Sequence, residues 1–264
     1  MKVFSFRNLR ILVLLSLLAL AAVHTKQQRL ASTSWLAPVQ LVVYPIAGDG
    51  SAATRRYMDV LDEDDFSAIE RFMDREAARY RLIEPHPVDV RLGPEIEAMP
   101  PPPPWEGGMV ETMLWSLSLR LWAWRHDRVE DDAPEGARVR MYVIYQQGDE
   151  PGGLQHSLGL RKGLIGVVHA YALAEQTPEN NLVIVHELLH TLGATDKYDA
   201  RGQPVYPRGY ADPTRSPLHP QERAEIMAGK IPVTPDRWQM PESLHECVVG
   251  KTTAREIGWL DEDR

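Results

Sequence analysis

Runs of β-branched and aromatic residues along the chain predict a sheet made of several short strands. The clearest runs are 39–44, 88–92, 138–145 and 163–171. We expect the first strand to end at Pro45, because proline interrupts a strand and the turn sequence Gly48-Asp49-Gly50 follows closely. Five consecutive prolines, 100–104, predict an extended polyproline segment that crosses the surface.

Apolar residues at helical spacing predict four helices between and after these strands. One is expected to be capped by Asp64 or Asp65, and it places apolar residues on one face and charged residues on the other. A second, 112–125, has an aromatic face, for which core packing is the simplest interpretation. A third, 180–192, is apolar, and the last covers 251–257. Strands and helices in this order predict an α+β fold.

Composition narrows the classes of protein that remain. The 264 residues are 44% hydrophobic and 25% charged, which is typical of a folded protein and excludes a disordered chain. The net charge of −8, without a long basic run beyond the first ten residues, argues against nucleic acid as a partner. The single cysteine, Cys247, can form neither an intrachain disulfide nor a cysteine metal cluster. Any metal site must therefore use histidines and carboxylates.

The first residues read as an export segment, not as part of the fold. A basic stretch with Lys2, Arg7 and Arg10 precedes an apolar run, 11–23, as in a signal peptide. We predict that 1–24 is either a signal peptide cleaved after Ala21 or an uncleaved signal anchor, although the run is shorter than the ~20 residues of a spanning helix. The remaining chain is then periplasmic or secreted, and meets a membrane only through this segment.

The residues that carry chemistry lie in the third predicted helix. His186 and His190 are four residues apart, so both imidazoles lie on one helical face with Glu187 beside them. Gly193 can turn the chain back toward the helix, and Asp196 follows three residues later. Two imidazoles and a carboxylate are the three protein ligands of a catalytic zinc site, which keeps a fourth position for water. The pattern thus predicts one zinc ion on His186, His190 and Asp196.

The string His186-Glu187-x-x-His190-x-x-Gly193-x-x-Asp196 resembles the long signature of the metzincin zinc peptidases. It is most similar to the snapalysin-like variant, in which aspartate is the third ligand. The resemblance covers mainly 160–230 and implies a mixed twisted sheet, an active-site helix and an irregular C-terminal part. Metzincins also carry a methionine in a tight turn beneath the metal, and Met227 is the candidate here.

The resemblance further implies how the chain is organised and what it does. A metallopeptidase-like domain would cover 36–264, with an upper part, 36–193, and a lower part, 194–264. The implied activity is hydrolysis of peptide or protein substrates through a metal-activated water, with Glu187 as the general base. The strand 163–171 would form the rim of the cleft and pair with an extended substrate. The developing oxyanion would be stabilised by a tyrosine from the set Tyr198, Tyr206 and Tyr210.

Other ligand sets stay open on the sequence alone. In a gluzincin-like arrangement the third ligand would come from a downstream glutamate, Glu222 or Glu225. Asp199 is a further carboxylate close to the helix, and we expect Lys197 to pair with Asp199 or with Asp196.

A non-catalytic function is the second hypothesis. A fourth ligand from His219 or His245 would close the site and make the zinc structural. The chain would then be an envelope binding or assembly protein, or a pseudo-peptidase, with the aromatic helix 112–125 as a partner surface. The acidic cluster 62–65 is explained by helix capping. Calcium binding is possible, but the sequence does not indicate it. The pattern predicts no oligomeric state.

Overall fold

A computed structural model describes residues 10, 15–16, 32–104, 107–127, 137–148, 158–160 and 163–260. Most of the predicted export segment, including the expected cleavage site after Ala21, lies outside these residues. Within the described ranges, no helix combines the length and apolar character needed to cross a membrane.

Five strands form one mixed sheet with the order β2-β1-β3-β5-β4. Four of them are parallel and one, β4, runs antiparallel to β5. The strands are β1 (Val39–Ala47), β2 (Val88–Leu92), β3 (Arg138–Gln146), β4 (Leu158–Leu160) and β5 (Ile165–Tyr171). The predicted α+β class and the four predicted strands are confirmed, and β4 is an addition.

The expectation that the strand at 163–171 forms the rim of the sheet is wrong. β5 is paired on both sides, with β3 through Arg140↔Ile165 and with β4 through Gly159↔Gly166. The outermost strand of the described sheet on this side is therefore β4. With three residues, β4 is too short for a pattern of alternating polarity to reveal it.

The first strand does not end at Pro45 but continues to Ala47. The carbonyl oxygen of Pro45 accepts a hydrogen bond from the Ile96 amide on the side of β2. The missing N–H of Pro45 faces that same side, where the pairing of β2 has already ended at Leu92. Proline therefore costs β1 no ladder hydrogen bond, which is why the strand tolerates it.

Among the described residues, five helices with complete bounds accompany the sheet, and the four predicted ones are among them. They are α1 (Ala52–Met58), α2 (Ser67–Tyr80), α3 (Met109–His126), α4 (Thr177–Leu192) and α5 (Lys251–Glu256). Short 3-10 turns cover Glu63–Phe66, Ala174–Gln176 and Leu244–Glu246. The C-terminal part has only short strands besides α5, namely β6 (Ala224–Glu225), β7 (Ile231–Thr234), β8 (Arg237–Gln239) and β9 (Cys247–Val248). It is thus as irregular as the sequence predicts.

The acidic cluster before α2 has a capping function, although the cap is not the expected residue. Asp62, and neither Asp64 nor Asp65, caps the 3-10 turn that leads into α2. Its Oδ1 accepts from the Asp64 amide, while Oδ2 of Asp65 accepts from the Asp62 amide. This reciprocal pair is a capping box and accounts for two of the carboxylates without a cation.

The two faces of the sheet are covered by different helices. Residues of α2 and α4 pack on one face around Leu41 and Val43. α3 packs on the other face, where Leu119 and Ala123 meet Tyr44 and neighbouring residues. Only these two residues of α3 are fully buried, so the expectation that its aromatic face serves core packing holds for only part of the helix.

Candidate functional site

The site lies on the last turns of α4 and on the chain segment that folds back beneath them. α4 begins at Thr177, earlier than predicted, because Pro178 in its first turn has a backbone angle suited to a helix start. It ends at Gly193, whose φ of +116° is in the left-handed region. The Gly193 amide donates to the carbonyl of His190, at 3.1 Å, and the Ala194 amide to that of Leu189, at 2.9 Å. This cap reverses the chain toward the helix.

The reversal brings a carboxylate against the two imidazoles. Oδ1 of Asp196 lies 3.3 Å from Nε2 of His186 and 3.1 Å from Nε2 of His190. The two Nε2 atoms are 3.1 Å apart. Glu187 completes the group, since it offers a carboxylate oxygen within 4.8 Å of both imidazole ligand atoms. The four residues that the sequence predicts for the site are therefore brought together.

Backbone carbonyls fix the orientation of both imidazoles. Nδ1 of His186 lies 3.1 Å from the carbonyl oxygen of Ile226, and Nδ1 of His190 lies 2.9 Å from that of Ala194. Because a carbonyl only accepts hydrogen bonds, these partners assign the proton to Nδ1 in each ring. With this proton on Nδ1, Nε2 of each ring is the atom that can offer a lone pair to a metal ion, and it lies close to the other ring and to Asp196.

The donor set fits a zinc ion. Two lone pairs and a carboxylate oxygen repel one another at this separation unless a positive charge is shared among them. Ligand atoms at 2.0–2.1 Å from a tetrahedral zinc ion are about 3.3–3.4 Å apart, and the three distances here are 3.1, 3.1 and 3.3 Å. Nitrogen, nitrogen and oxygen are ligands that zinc accepts. His186, His190 and Asp196 could therefore hold this metal.

Glu187 has the environment of a reactive carboxylate. It is 5% exposed, and within the described part of the chain its Oε2 has no hydrogen-bond partner. Burial raises the pKa of Glu187; the nearby negative charge of Asp196 adds to this effect, and the imidazoles of His186 and His190 oppose it. A buried carboxylate oxygen without a partner is costly in an ordinary protein interior. Glu187 lies beside the ligand cluster, that is, His186, His190 and Asp196, so its carboxylate is a candidate for acid–base chemistry.

The edge strand β4 approaches this group at Gly159. A Cβ atom on Gly159 would lie 2.5 Å from the carbonyl oxygen of Glu187, 2.8 Å from Cβ of His190 and 3.2 Å from Oε2 of Glu187. Only a residue without a side chain lets the edge strand pass so close to α4. β4 therefore forms one wall of the site, in the place expected for 163–171.

We expect Gly159→Ala to destabilise the protein by about 1–3 kcal/mol, because the methyl group would push β4 away from α4. Thermal unfolding of the two proteins measures this difference. An unchanged midpoint for Gly159→Ala would show that β4 does not pack on the site as closely as described.

Met227 lies in a tight turn that touches the site through its neighbour Ile226, whose carbonyl faces the imidazole of His186. It is fully buried, and Gly229, at φ +66°, closes the turn with an amide hydrogen bond to the carbonyl of Glu225. The carbonyl of Ile226 holds His186, and that of Met227 accepts from the amide of Lys197 at 3.0 Å. The turn thus positions a histidine ligand and the segment that carries Asp196.

Glu225 braces this turn instead of binding a metal. Its carboxylate accepts hydrogen bonds from the amides of Met227, Ala228 and Gly250 and from the hydroxyl of Thr253. Burial raises the pKa of Glu225, while these donors oppose the shift. All its hydrogen-bonding capacity faces the turn and α5, so this geometry favours Asp196 as the third ligand.

The remaining candidate metal ligands have other surroundings in the structure. Glu222 pairs with Arg215 at 2.7 Å, and Asp199 caps its own turn by accepting from the amides of Arg201 and Gln203. Nε2 of His219 lies 3.2 Å from the hydroxyl of Tyr210. His245 lines a separate cavity of about 390 Å³ with Thr177 and Asn181 at the far end of α4. None of the four joins the ligand cluster among the residues that the structure describes.

The expected pairing of Lys197 with Asp196 or Asp199 is wrong. Lys197 is 1% exposed, and its Nζ donates to Oε2 of Glu256 at 2.7 Å and to the hydroxyl of Thr195 at 2.9 Å. Glu256 also accepts from the amide and hydroxyl of Thr195. This clamp, formed by the buried Lys197, the partly exposed Glu256 and the exposed Thr195, holds the chain on both sides of Asp196.

The three candidate tyrosines differ in their relation to the site. Burial raises the pKa of Tyr198 to about 12, and the nearby negative charge of Asp196 contributes to the shift. Tyr206 donates to the carbonyl of Pro213, and Tyr210 pairs with His219. Tyr198 is therefore the tyrosine that the structure brings to the ligand cluster.

Sequence reasoning missed three supports of the site, namely Gly159, the brace of Glu225 and the clamp at Lys197. An isolated glycine between two leucines was a weak signal for the first. The brace of Glu225 and the clamp at Lys197 depend on contacts with α5, which lies far along the chain.

Comparison with protein-family models and with curated proteins finds no match to this chain. What it does must therefore be argued from its own residues.

Proposed function

We propose that this chain is a zinc-dependent endopeptidase of metzincin-like architecture. The observation that carries the proposal is the convergence of Nε2 of His186, Nε2 of His190 and Oδ1 of Asp196 within 3.1–3.3 Å. The buried, unpartnered oxygen of Glu187 beside them favours a catalytic site over a structural one. The turn at Gly193, the buried Met227 and the antiparallel edge strand support the architecture.

In this proposal a bound zinc ion would supply Lewis-acid chemistry, polarising a carbonyl group and making a water molecule acidic enough to react at neutral pH. His186, His190 and Asp196 would hold the ion, with both rings oriented by backbone carbonyls. Glu187 takes a proton from the attacking water as the new C–O bond forms. The same carboxyl group returns that proton to the amine nitrogen when the C–N bond breaks.

Two further features would bind and orient the substrate. β4 presents its outer edge beside Glu187, and an extended peptide can add there as a further strand through backbone hydrogen bonds. Tyr198 keeps its proton at neutral pH, because its pKa is raised to about 12. Its hydroxyl can therefore donate a hydrogen bond to the oxyanion of the tetrahedral intermediate.

The proposed location is outside the cytoplasm, in the periplasm or secreted. The supporting feature is the basic stretch followed by the apolar run 11–23, which reads as a signal peptide or as an uncleaved anchor. With an uncleaved anchor, the peptidase domain would stay tethered to the membrane.

Metal content of the purified protein tests the site. We expect one zinc ion per chain in the wild type, and Asp196→Ala should weaken zinc binding by about 10² or more, because one of three protein ligands is lost. Asp199→Ala is the matched control, since this neighbouring carboxylate only caps a turn. A metal-free wild type would contradict the proposal. So would an Asp196→Ala protein that binds zinc as tightly as the wild type.

A further inference from the structure

α3 exposes an unusual number of large apolar side chains. Seven of its residues are between 49% and 89% exposed, namely Met109, Val110, Met113, Leu114, Leu117, Leu121 and Trp124. Monomeric soluble proteins seldom leave so many neighbouring apolar side chains in water, and such patches mark surfaces that contact a protein or a membrane.

The exposed residues form a stripe on the side of α3 that faces away from the sheet. At 3.6 residues per turn, six of them, all except Met109, fall within an arc of about 100°. Leu119 and Ala123, which are buried against the sheet, lie roughly opposite the middle of this arc. Packing of the fold therefore does not account for the apolar residues in the outward stripe.

The stripe has the composition of a helix that lies at a membrane surface. It combines methionine, leucine and an exposed tryptophan, and Arg120 and Arg125 flank it on opposite sides. Helices that lie in the membrane interface have an apolar face with tryptophan or leucine and basic residues at its borders. Arginines at these borders can reach lipid phosphates while their alkyl stems lie along the apolar face.

A second copy of the chain is the competing occupant for this surface, and the spin-label experiment distinguishes it from a membrane. The predicted N-terminal tether favours the membrane.

The predicted export segment places a membrane within reach. Eight residues, 24–31, separate the apolar run from Ser32, and they span at most about 30 Å. The chain then enters the sheet at the start of β1, where Gln40 pairs with Arg138. The end of α3 is close by, because Asp127 accepts a hydrogen bond from Arg140, two residues further along β3. Residues 32–35 themselves pack beside α5, where the Trp35 indole donates to the carbonyl of Ile257. An uncleaved anchor would therefore hold the end of the domain at which β1 and β3 begin within about 30 Å of the lipid surface.

We propose that the outward stripe of α3 docks the folded domain onto a lipid bilayer surface. This inference rests on the proposed N-terminal anchor but not on zinc binding or on peptide hydrolysis. Docking would fix how the site on α4, on the opposite face of the sheet, is presented to substrates near the membrane.

A nitroxide spin label at position 117 tests the proposal in the full chain. Leu117→Cys carries the label on the stripe, and Ile83→Cys, at a position 92% exposed on another surface, is the matched control. Cys247 is fully buried, so only the introduced cysteine is accessible to the label. Collisions with oxygen, which concentrates in lipid, and with a water-soluble nickel chelate are then compared with and without phosphatidylethanolamine and phosphatidylglycerol vesicles.

Adding vesicles should raise the ratio of oxygen to nickel collisions several-fold at position 117 and leave it unchanged at position 83. Labels at Met113 and Leu121 should behave like the label at 117. If the label at 117 stays as accessible to nickel as it is without vesicles, the proposal is overturned. Shielding from both reagents would also overturn it, because that result indicates a protein partner, a second copy or another part of this chain. Metal content and peptidase activity do not enter the measurement.

Discussion

Glu187→Gln is expected to slow peptide hydrolysis by a factor of about 10²–10⁴ while one zinc ion per chain stays bound. Glutamine keeps the size of the side chain but cannot take a proton from water. The ligand cluster should survive, because His186, His190 and Asp196 are held by other groups. Turnover of a fluorogenic peptide library and metal content, measured on the same preparation, check both halves of the prediction.

Glu179→Gln provides the control on the same helix. Glu179 lies in the first turn of α4 and is exposed, so its neutralisation leaves the site intact. Undiminished hydrolysis by Glu187→Gln would assign the general base to another group. Loss of zinc from that variant would instead make Glu187 a ligand, and the chemistry proposed for it would be wrong.

The parts of the site that the sequence predicts have local signals. His186, Glu187 and His190 share one turn of an apolar helix, and Gly193 follows as its cap. The left-handed conformation of Gly193 and the short spacing to Asp196 predict that Asp196 returns toward the helix, where distant contacts then hold it. Helical periodicity and one glycine are sufficient to predict the approach of all of these residues.

The features that the sequence does not predict depend on contacts between distant segments of the chain. Lys197 was expected to pair with a neighbouring carboxylate, yet it reaches Glu256, which is 59 residues away. In α3 the apolar pattern predicts burial but cannot tell which side of the helix meets the sheet. The outward position of Leu117 and Trp124 therefore appears only in the folded chain.

Glu256→Ala is expected to destabilise the protein by about 3–5 kcal/mol, more than Lys197→Met does. Loss of the carboxylate leaves the ammonium of Lys197 in an environment where it is 1% exposed, with only the oxygens of Thr195 as partners. Loss of the ammonium leaves Glu256 partly exposed to water and still bonded to Thr195. Unfolding in urea, measured on the zinc-free proteins, compares the two variants without a contribution from metal.

The contribution of Glu256 to the free energy of unfolding should also depend on pH. Burial alone would raise the pKa of this carboxyl, but its hydrogen bonds with Lys197 and Thr195 outweigh burial and lower the pKa below its ordinary value of 4.5. A lowered pKa in the folded state means that the stabilisation is present above about pH 4.5 and is lost as the pH falls through the folded pKa. The difference in the free energy of unfolding between wild type and Glu256→Gln should therefore shrink as the pH falls from 6 to 3.

Glu222→Ala is the control that separates the loss of the clamp from a general loss of surface charge. Glu222 also pairs with a cation, Arg215, but its side chain is 74% exposed, so its removal should change stability by less than about 1 kcal/mol. If Glu256→Ala destabilises the protein no more than Glu222→Ala does, the clamp at Lys197 does not hold the segment of Asp196. If the clamp does hold it, Glu256→Ala should also bind zinc more weakly than wild type, since Asp196 lies between the two residues, Thr195 and Lys197, that Glu256 fixes.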